Sequence, residues 1–403
     1  MLQDIDGIAL QEPKTQLAWE KHLPMNKSDL NRNAYLLQGA MARKGYMRWW
    51  HSFTGVQPET GETRTFFVEY FIINPGLGSE QPILGQHPYF KKRDMRPSYV
   101  MIKAGAFPGK AADNQELVGK QLHAFFPISS LKIAKDPLII QAEDCFYSEN
   151  HISGRVDVTT KEARHLSLMT DEGSMEWDLE VHKAVACHTG FLSNAFFTAL
   201  NALTSFWHAE GIRTFYKGSV TLDGISYQVT PENSYGYADK HWGKSYNRPW
   251  LQLASCHLIS ERTGHELKHS ALAMDGCSPK FLCFPLKRRL MLQLTYTGED
   301  FEFHFAKPGS FCRCKWNIKE TNKRYIWHIM AQNKSAVIKI SGSCRKEEML
   351  PLRYEAPDGS KAEVPLSGGG SGYGSLQIYR RTPAGKQLLD SLTYENALFF
   401  YQA

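Results

Sequence analysis

The stretch Tyr235-Gly-Tyr-Ala-Asp-Lys-His-Trp-Gly243 gathers an acid, an amine, an imidazole and large aromatics, and Trp250-Leu-Gln-Leu-Ala-Ser255 follows it closely. Proton transfer is the chemistry such a set would serve. A carboxyl buried beside aromatic rings has its pKa raised and stays protonated near neutral pH, so Asp239 amid Tyr237, Trp242 and Tyr246 is a candidate general acid. His241 or Tyr237 is the candidate to take a proton back. Alternate side chains of a strand point to opposite faces, which sends Lys240 away from Asp239 and His241. A structural reading stands beside this one: Asp239 and Lys240 could make structural bonds at a barrel corner, as turn-capping acids do.

Two further clusters are aromatic. Gly45-Tyr-Met-Arg-Trp-Trp-His-Ser-Phe53 leads into Phe66-Phe-Val-Glu-Tyr-Phe-Ile-Ile73, and Gly173-Ser-Met-Glu-Trp-Asp-Leu179 lies further on. Adjacent Trp49 and Trp50 on a strand face opposite ways, one inside and one outside. Candidate substrate-binding residues are Trp50, His51, Trp177, Lys240, Trp242 and Trp250, although each Trp fits a core role as well. Glu69, Asp178 and Glu395 are the other carboxylates set in apolar strands. His182, Cys187 and His188 form a loose trio without a fourth ligand at metal-site spacing, so no metal is expected. The glycine run Gly368–Gly374 is followed by strand-like sequence and no GK[ST], so it reads as a flexible turn or bulge entry and not a phosphate loop.

The elements that must carry these residues are strands. Period-two alternation runs through Glu176–His182, Arg289–Tyr296, Phe301–Phe305, Arg324–Met330, Ser335–Ile340 and Ser375–Tyr379. Asp223-Gly224, Thr297-Gly298, Asp358-Gly359 and Pro383-Ala-Gly385 punctuate them as turns. About eighteen short strands without intervening helices predict an antiparallel sandwich or barrel, an all-β fold. The exceptions are a short helix near Asn114–Phe125 and an amphipathic helix over about 192–207 with an uncharged polar face. The latter covers a sheet or makes weak contact with a membrane surface. A break near 207–215 divides the chain into an N-terminal extension, 1–32, and two halves, 33–209 and 210–403.

Composition narrows the function classes. The 403 residues carry 47 Lys and Arg against 41 Asp and Glu, a mild net charge of +6 with no run of five or more Lys or Arg, so nucleic acid is not an expected partner. The acidic and basic residues among the first 25 leave no hydrophobic signal region, and eight cysteines without CxxC read as free thiols in a reducing cytoplasm. No dinucleotide fingerprint, P-loop or zinc signature is present, so no cofactor is expected. Nothing in the pattern sets an oligomeric state.

In chain order the aromatic clusters resemble the signatures of the tocopherol cyclase family. The strongest match is Ala238-Asp-Lys-His-Trp-Gly243, although the family has Glu and Asn where this chain has Asp239 and His241. Tyr46–Trp50 is similar to its N-terminal signature and Trp177-Asp178-Leu179 to its middle one. Gly370–Tyr379 is similar to its closing strand, with Glu395 in the place of a late acid. The resemblance implies two lipocalin-like β halves around an apolar ligand cavity. It also implies an enzyme that closes a chroman ring, protonating an alkene while a phenol oxygen adds. The expected function is therefore cofactor-independent acid–base cyclisation or isomerisation of a hydrophobic phenolic or prenylated small molecule. The alternatives are a non-catalytic carrier of an apolar ligand, or a hydratase- or pericyclase-type enzyme on a polyene or flavonoid-like substrate.

Overall fold

A computed structural model describes residues 33–110, 116–187, 205–246, 248–278, 280–281, 284–285, 288–305, 311–360 and 366–403. The fold is nearly all-β and every strand pairing among the described residues is antiparallel. Helix is confined there to single turns at Ala40–Arg43, Pro88–Lys91 and Thr160–Ala163 and to short 3-10 segments. The turn chemistry works as the sequence predicts. Asp223 and Gly224 (φ 50° and 81°) and Thr297 and Gly298 (φ 48° and 87°) all take left-handed backbone, which lets a two-residue turn match the twist of its hairpin.

Two large sheets make up the molecule. Twelve strands form the first, with Tyr46–Val56 between Thr63–Ile73 and Gly236–Gly243, and Gly236–Gly243 pairing in turn with Ser205–Leu222. The second has eleven, with Trp250–Ser255 between Ala271–Cys277 and the long C-terminal strand Gly385–Gln402. The division between sheets thus falls between Gly243 and Trp250, not at the 209/210 break expected. Ser205–Leu222 is a single strand that runs straight through that break.

Burial patterns tell which strands lie between layers. Gly173–Val185 alternates buried and exposed residues along its middle, the signature of one dry and one wet face. Gly236–Gly243 is buried at every position, and Tyr46–Val56 at all but its last. One face of these strands packs inside the first sheet; the other is covered by the second sheet. Trp49 and Trp50 are therefore both fully buried, correcting the expectation of one outside. Trp49 meets Tyr147 inside the first sheet. Trp50 stacks on Phe67 at 5.0 Å and meets the edge of Phe400, from the second sheet, at 5.2 Å.

Of the two readings of the glycine run, turn or bulge entry, the bulge is the one found. The run lies within the strand Leu366–Thr382, bulged between Gly369 and Gly374. A Cβ on Gly370 would meet Thr65 of the first sheet at 2.6 Å, and one on Gly374 would meet the Ser341 carbonyl at 2.1 Å. The missing side chains permit that close approach. Two helix expectations also change. Lys120–Phe126 is a strand, and so is the 205–207 end of the proposed amphipathic helix; its remainder lies outside the described residues. No helix among the described residues is long and apolar enough to cross a membrane.

Candidate functional site

The covered face of Gly236–Gly243 presents Tyr237, Asp239 and His241, two residues apart as strand geometry requires. Cross-strand pairing then assembles their neighbours. Arg48 lies beside His241, and Trp50 beside Asp239. On the facing sheet Gln252 pairs with Asp275, and Trp250 pairs with both Cys277 and Gln402. These two patches face one another across the sheet interface.

Asp239 is 1% exposed. Its Oδ2 accepts hydrogen bonds from Trp207 Nε1 and Tyr237 Oη, both at 3.1 Å, and from Gln252 Nε2. His241 Nε2 stands 3.5 Å from the same oxygen and 4.0 Å from Asp275 Oδ2. Asp275 is also buried, and it accepts from Trp250 Nε1. One imidazole therefore sits between two buried carboxyl groups held by different donor sets.

Those donor sets separate the acids. Burial pushes the Asp275 carboxyl up to about 7; the neighbouring Asp239 charge adds to this, while the Trp250 hydrogen bond and Arg48 oppose it. Asp239 is equally buried, but His241, Arg48 and the Gln252 hydrogen bond outweigh burial and hold it below the usual carboxylate range. The raised acid expected at Asp239 is thus found at Asp275. Burial, with Arg48 adding, pushes His241 down to about 4, so the imidazole is neutral at physiological pH. Tyr237 is held well above the ordinary phenol range, first by burial and then by Asp239.

His241 and Asp275 line a cavity of about 590 Å³, counted out to its open mouth. Tyr46, Phe206, Trp207, Tyr246, Trp250 and Tyr354 supply aromatic walls, and Arg48 and Gln402 bring polar groups. Of the expected substrate-binding residues, Trp250 lines this space. Trp50 packs behind it in the interface. Trp242 stacks on Phe206 at 5.4 Å. His51 bonds Tyr216 on the other face of its strand, and Lys240 points that way too, as predicted, donating to the Ala34 carbonyl. Trp177 is buried within the first sheet. His51, Lys240 and Trp177 therefore lie away from the cavity.

The other acids considered are elsewhere. Glu69 is buried in ion pairs with Arg48 (3.5 Å) and Lys103 (3.3 Å). The Asp178 side chain is 76% exposed and pairs with His151. Glu395 is exposed. His182 stacks on Phe215, His188 lies outside the described residues, and no group of three or more metal-ligating side chains occurs among those described. Sequence reasoning missed Asp275, Gln252, Gln402 and Arg48. The signal for Asp275 was present: it is the lone charge in Ala271-Leu-Ala-Met-Asp-Gly-Cys277, an acid in an otherwise uncharged apolar strand.

No protein-family model matches the chain, and no curated protein matches it. Among solved structures, it is similar to an AttH-type protein from Nitrosomonas europaea (TM-score 0.43, 10% identity, 94% of this chain and 100% of that one). It is also similar to kievitone hydratase from Nectria haematococca (0.45, 11%, 94% and 96%). CghA with Sch210972 is a further match (0.42, 11%, 89% of each).

Proposed function

We propose that the protein is a cofactor-independent acid–base catalyst that moves a proton on a hydrophobic, aromatic small molecule held between its two sheets. The observation that carries this is the Asp239–His241–Asp275 arrangement: one neutral imidazole between an ionised and a protonatable carboxyl, at the wall of an aromatic cavity. Asp275 is the general acid, since a carboxyl titrating near 7 delivers a proton at neutral pH with the least mismatch. His241 is the base and returns the proton to Asp275 across 4.0 Å. Asp239 is a positioning residue. Fixed by Trp207, Tyr237 and Gln252, it orients His241 and favours the imidazolium that forms in turnover. Ring closure or isomerisation of a phenolic or prenylated compound, the chemistry implied by the tocopherol cyclase-like motifs, needs this proton inventory.

The test is turnover in heavy water on a panel of prenylated hydroquinones and hydroxyaryl enones. The wild-type protein is expected to place one solvent deuterium on carbon per turnover. Asp275→Asn, folded and still binding ligand, is expected to lose roughly 10²–10⁴ in rate. A folded Asp275→Asn variant that turns over normally removes Asp275 from the mechanism. Binding of the panel without deuterium incorporation by the wild type would make the protein a carrier.

A further inference from the structure

Three side chains lining the cavity hold buried polar atoms without a hydrogen-bond partner: Arg48 Nη2, His241 Nε2 and Gln402 Nε2. Arg48 has its other terminal nitrogen engaged, with Tyr354 Oη at 3.1 Å and Glu69 at 3.5 Å. It is 4% exposed and Gln402 3%. Buried donors left empty are costly, and a native site keeps them when a ligand fills them. Both nitrogens are donors, so the complementary ligand group is a hydrogen-bond acceptor.

Arg48 also bears on the sign of charge the site tolerates. Its guanidinium lies 5.7, 5.5 and 5.9 Å from the ring centres of Trp50, Trp250 and Tyr354. Trp250 and Tyr354 are walls of the cavity, so a fixed cation already occupies two of the aromatic faces that could stabilise a substrate carbocation. A positive charge developing on carbon over those rings would be repelled by Arg48, and a negative one on an oxygen beside its free nitrogen would be attracted; the imidazolium of His241 forms instead against the Asp239 carboxylate.

We infer that Arg48 and Gln402 bind a carbonyl oxygen of the substrate, which is an aryl ketone or enone, and that the reaction builds negative charge on that oxygen and not a carbocation on carbon. This rests on the acid–base reading above and names its substrate class. For a hydroxyaryl enone the step balances without a co-reactant. His241 takes the phenol proton and the phenol oxygen bonds the β-carbon. The alkene electron pair moves to give an enolate held by Arg48 and Gln402. Asp275 then protonates the α-carbon as the carbonyl re-forms, and the imidazolium returns its proton to Asp275. The net change is an isomerisation.

Binding alone tests this, using the full chain with benzophenone and its isostere carrying a methylene group in place of the carbonyl oxygen. The ketone is expected to bind about tenfold tighter or more, the worth of one hydrogen bond from a charged donor. Gln402→Leu and Arg48→Met are expected to shrink that preference while leaving affinity for the alkene within a few-fold. If Arg48→Met fails to fold because Glu69 loses its partner, Gln402→Leu decides alone. Equal binding of the two ligands by the wild type, binding of neither, or an undiminished preference in folded Gln402→Leu overturns the inference. Asp275→Asn is expected to keep the ketone preference. A preserved preference without deuterium transfer would therefore sink the catalytic reading and leave carbonyl recognition standing.

Discussion

The strand Gly236–Gly243 separates two buried polar clusters that differ in how they are satisfied. On its inner face lies Lys183, whose amine bonds Glu149 at 2.5 Å and Glu210 at 2.6 Å. Glu210 also accepts from Tyr147 at 3.1 Å, and Asn33 joins Tyr147 to Trp49. Burial opposes the Lys183 charge, but the two glutamates outweigh it and hold the amine above the usual lysine range. This cluster meets its needs mostly from within. The outer cluster does not: Asp239 Oδ1, His241 Nε2, Arg48 Nη2, Gln252 Oε1 and Gln402 Nε2 all lack partners. A closed set of ion pairs suits structure. An open set at a cavity wall suits a ligand, because its unmet hydrogen bonds are available to one.

That contrast is broken most forcefully at Lys183. Lys183→Met strands Glu149 and Glu210 in a buried site, and removing one member of a buried ion pair costs about 3–5 kcal/mol. Urea unfolding should show the free energy of unfolding falling by that much, through a lower midpoint at unchanged slope, with ligand affinity of whatever protein remains folded close to wild type. A loss under about 1 kcal/mol would mean that the inner cluster is not the closed structural unit described.

The pH dependence of stability sharpens the comparison from the other side. Asp275 titrates near 7 when folded against an ordinary 3.8, so between those values the folded state binds the extra proton. Stability from this group is present in full below the lower value and is lost as pH rises through the window, levelling above about 7. The wild type minus Asp275→Asn difference should therefore decline between pH 4 and 7, by at most about 1.4 kcal/mol per pH unit. Asp239 and Lys183 are common to both proteins and cancel. A difference that stays flat or rises across the window would show that Asp275 is ionised when folded, and the general-acid assignment would fall with it.

Local signals were legible in the sequence, and long-range ones were not. Strand alternation placed Tyr237, Asp239 and His241 on one face and Lys240 on the other, because that period is intrinsic to the backbone. Asp-Gly and Thr-Gly turns were equally local. The site's second carboxyl was not, since Asp275 meets His241 only after Ala271–Cys277 pairs with Trp250–Ser255 and the two sheets close. Trp50 was misread for the same reason: alternation fixes which way a side chain points, not what covers it. The division at 209/210 failed because a strand of eighteen residues, Ser205–Leu222, crosses it. Asp239 was predicted to be the raised acid from burial alone, whereas its Trp207, Gln252 and Arg48 neighbours arrive from elsewhere in the chain.

The smallest expected effect concerns a motif that stands out in the sequence yet lies outside both clusters. In Trp177-Asp178-Leu179, strand alternation buries Trp177 and Leu179 and turns Asp178 to solvent, where it pairs with His151 Nε2 at 2.7 Å. Exposed pairs of this kind are worth about 0–1 kcal/mol, since water competes for both partners and side-chain entropy opposes the contact. Asp178→Asn should therefore change the free energy of unfolding in urea by less than about 1 kcal/mol and leave ketone affinity and deuterium incorporation unchanged. Activity lost without a stability change would place a functional group on the wet face of the first sheet. The cavity between the sheets would then not be the whole of the site.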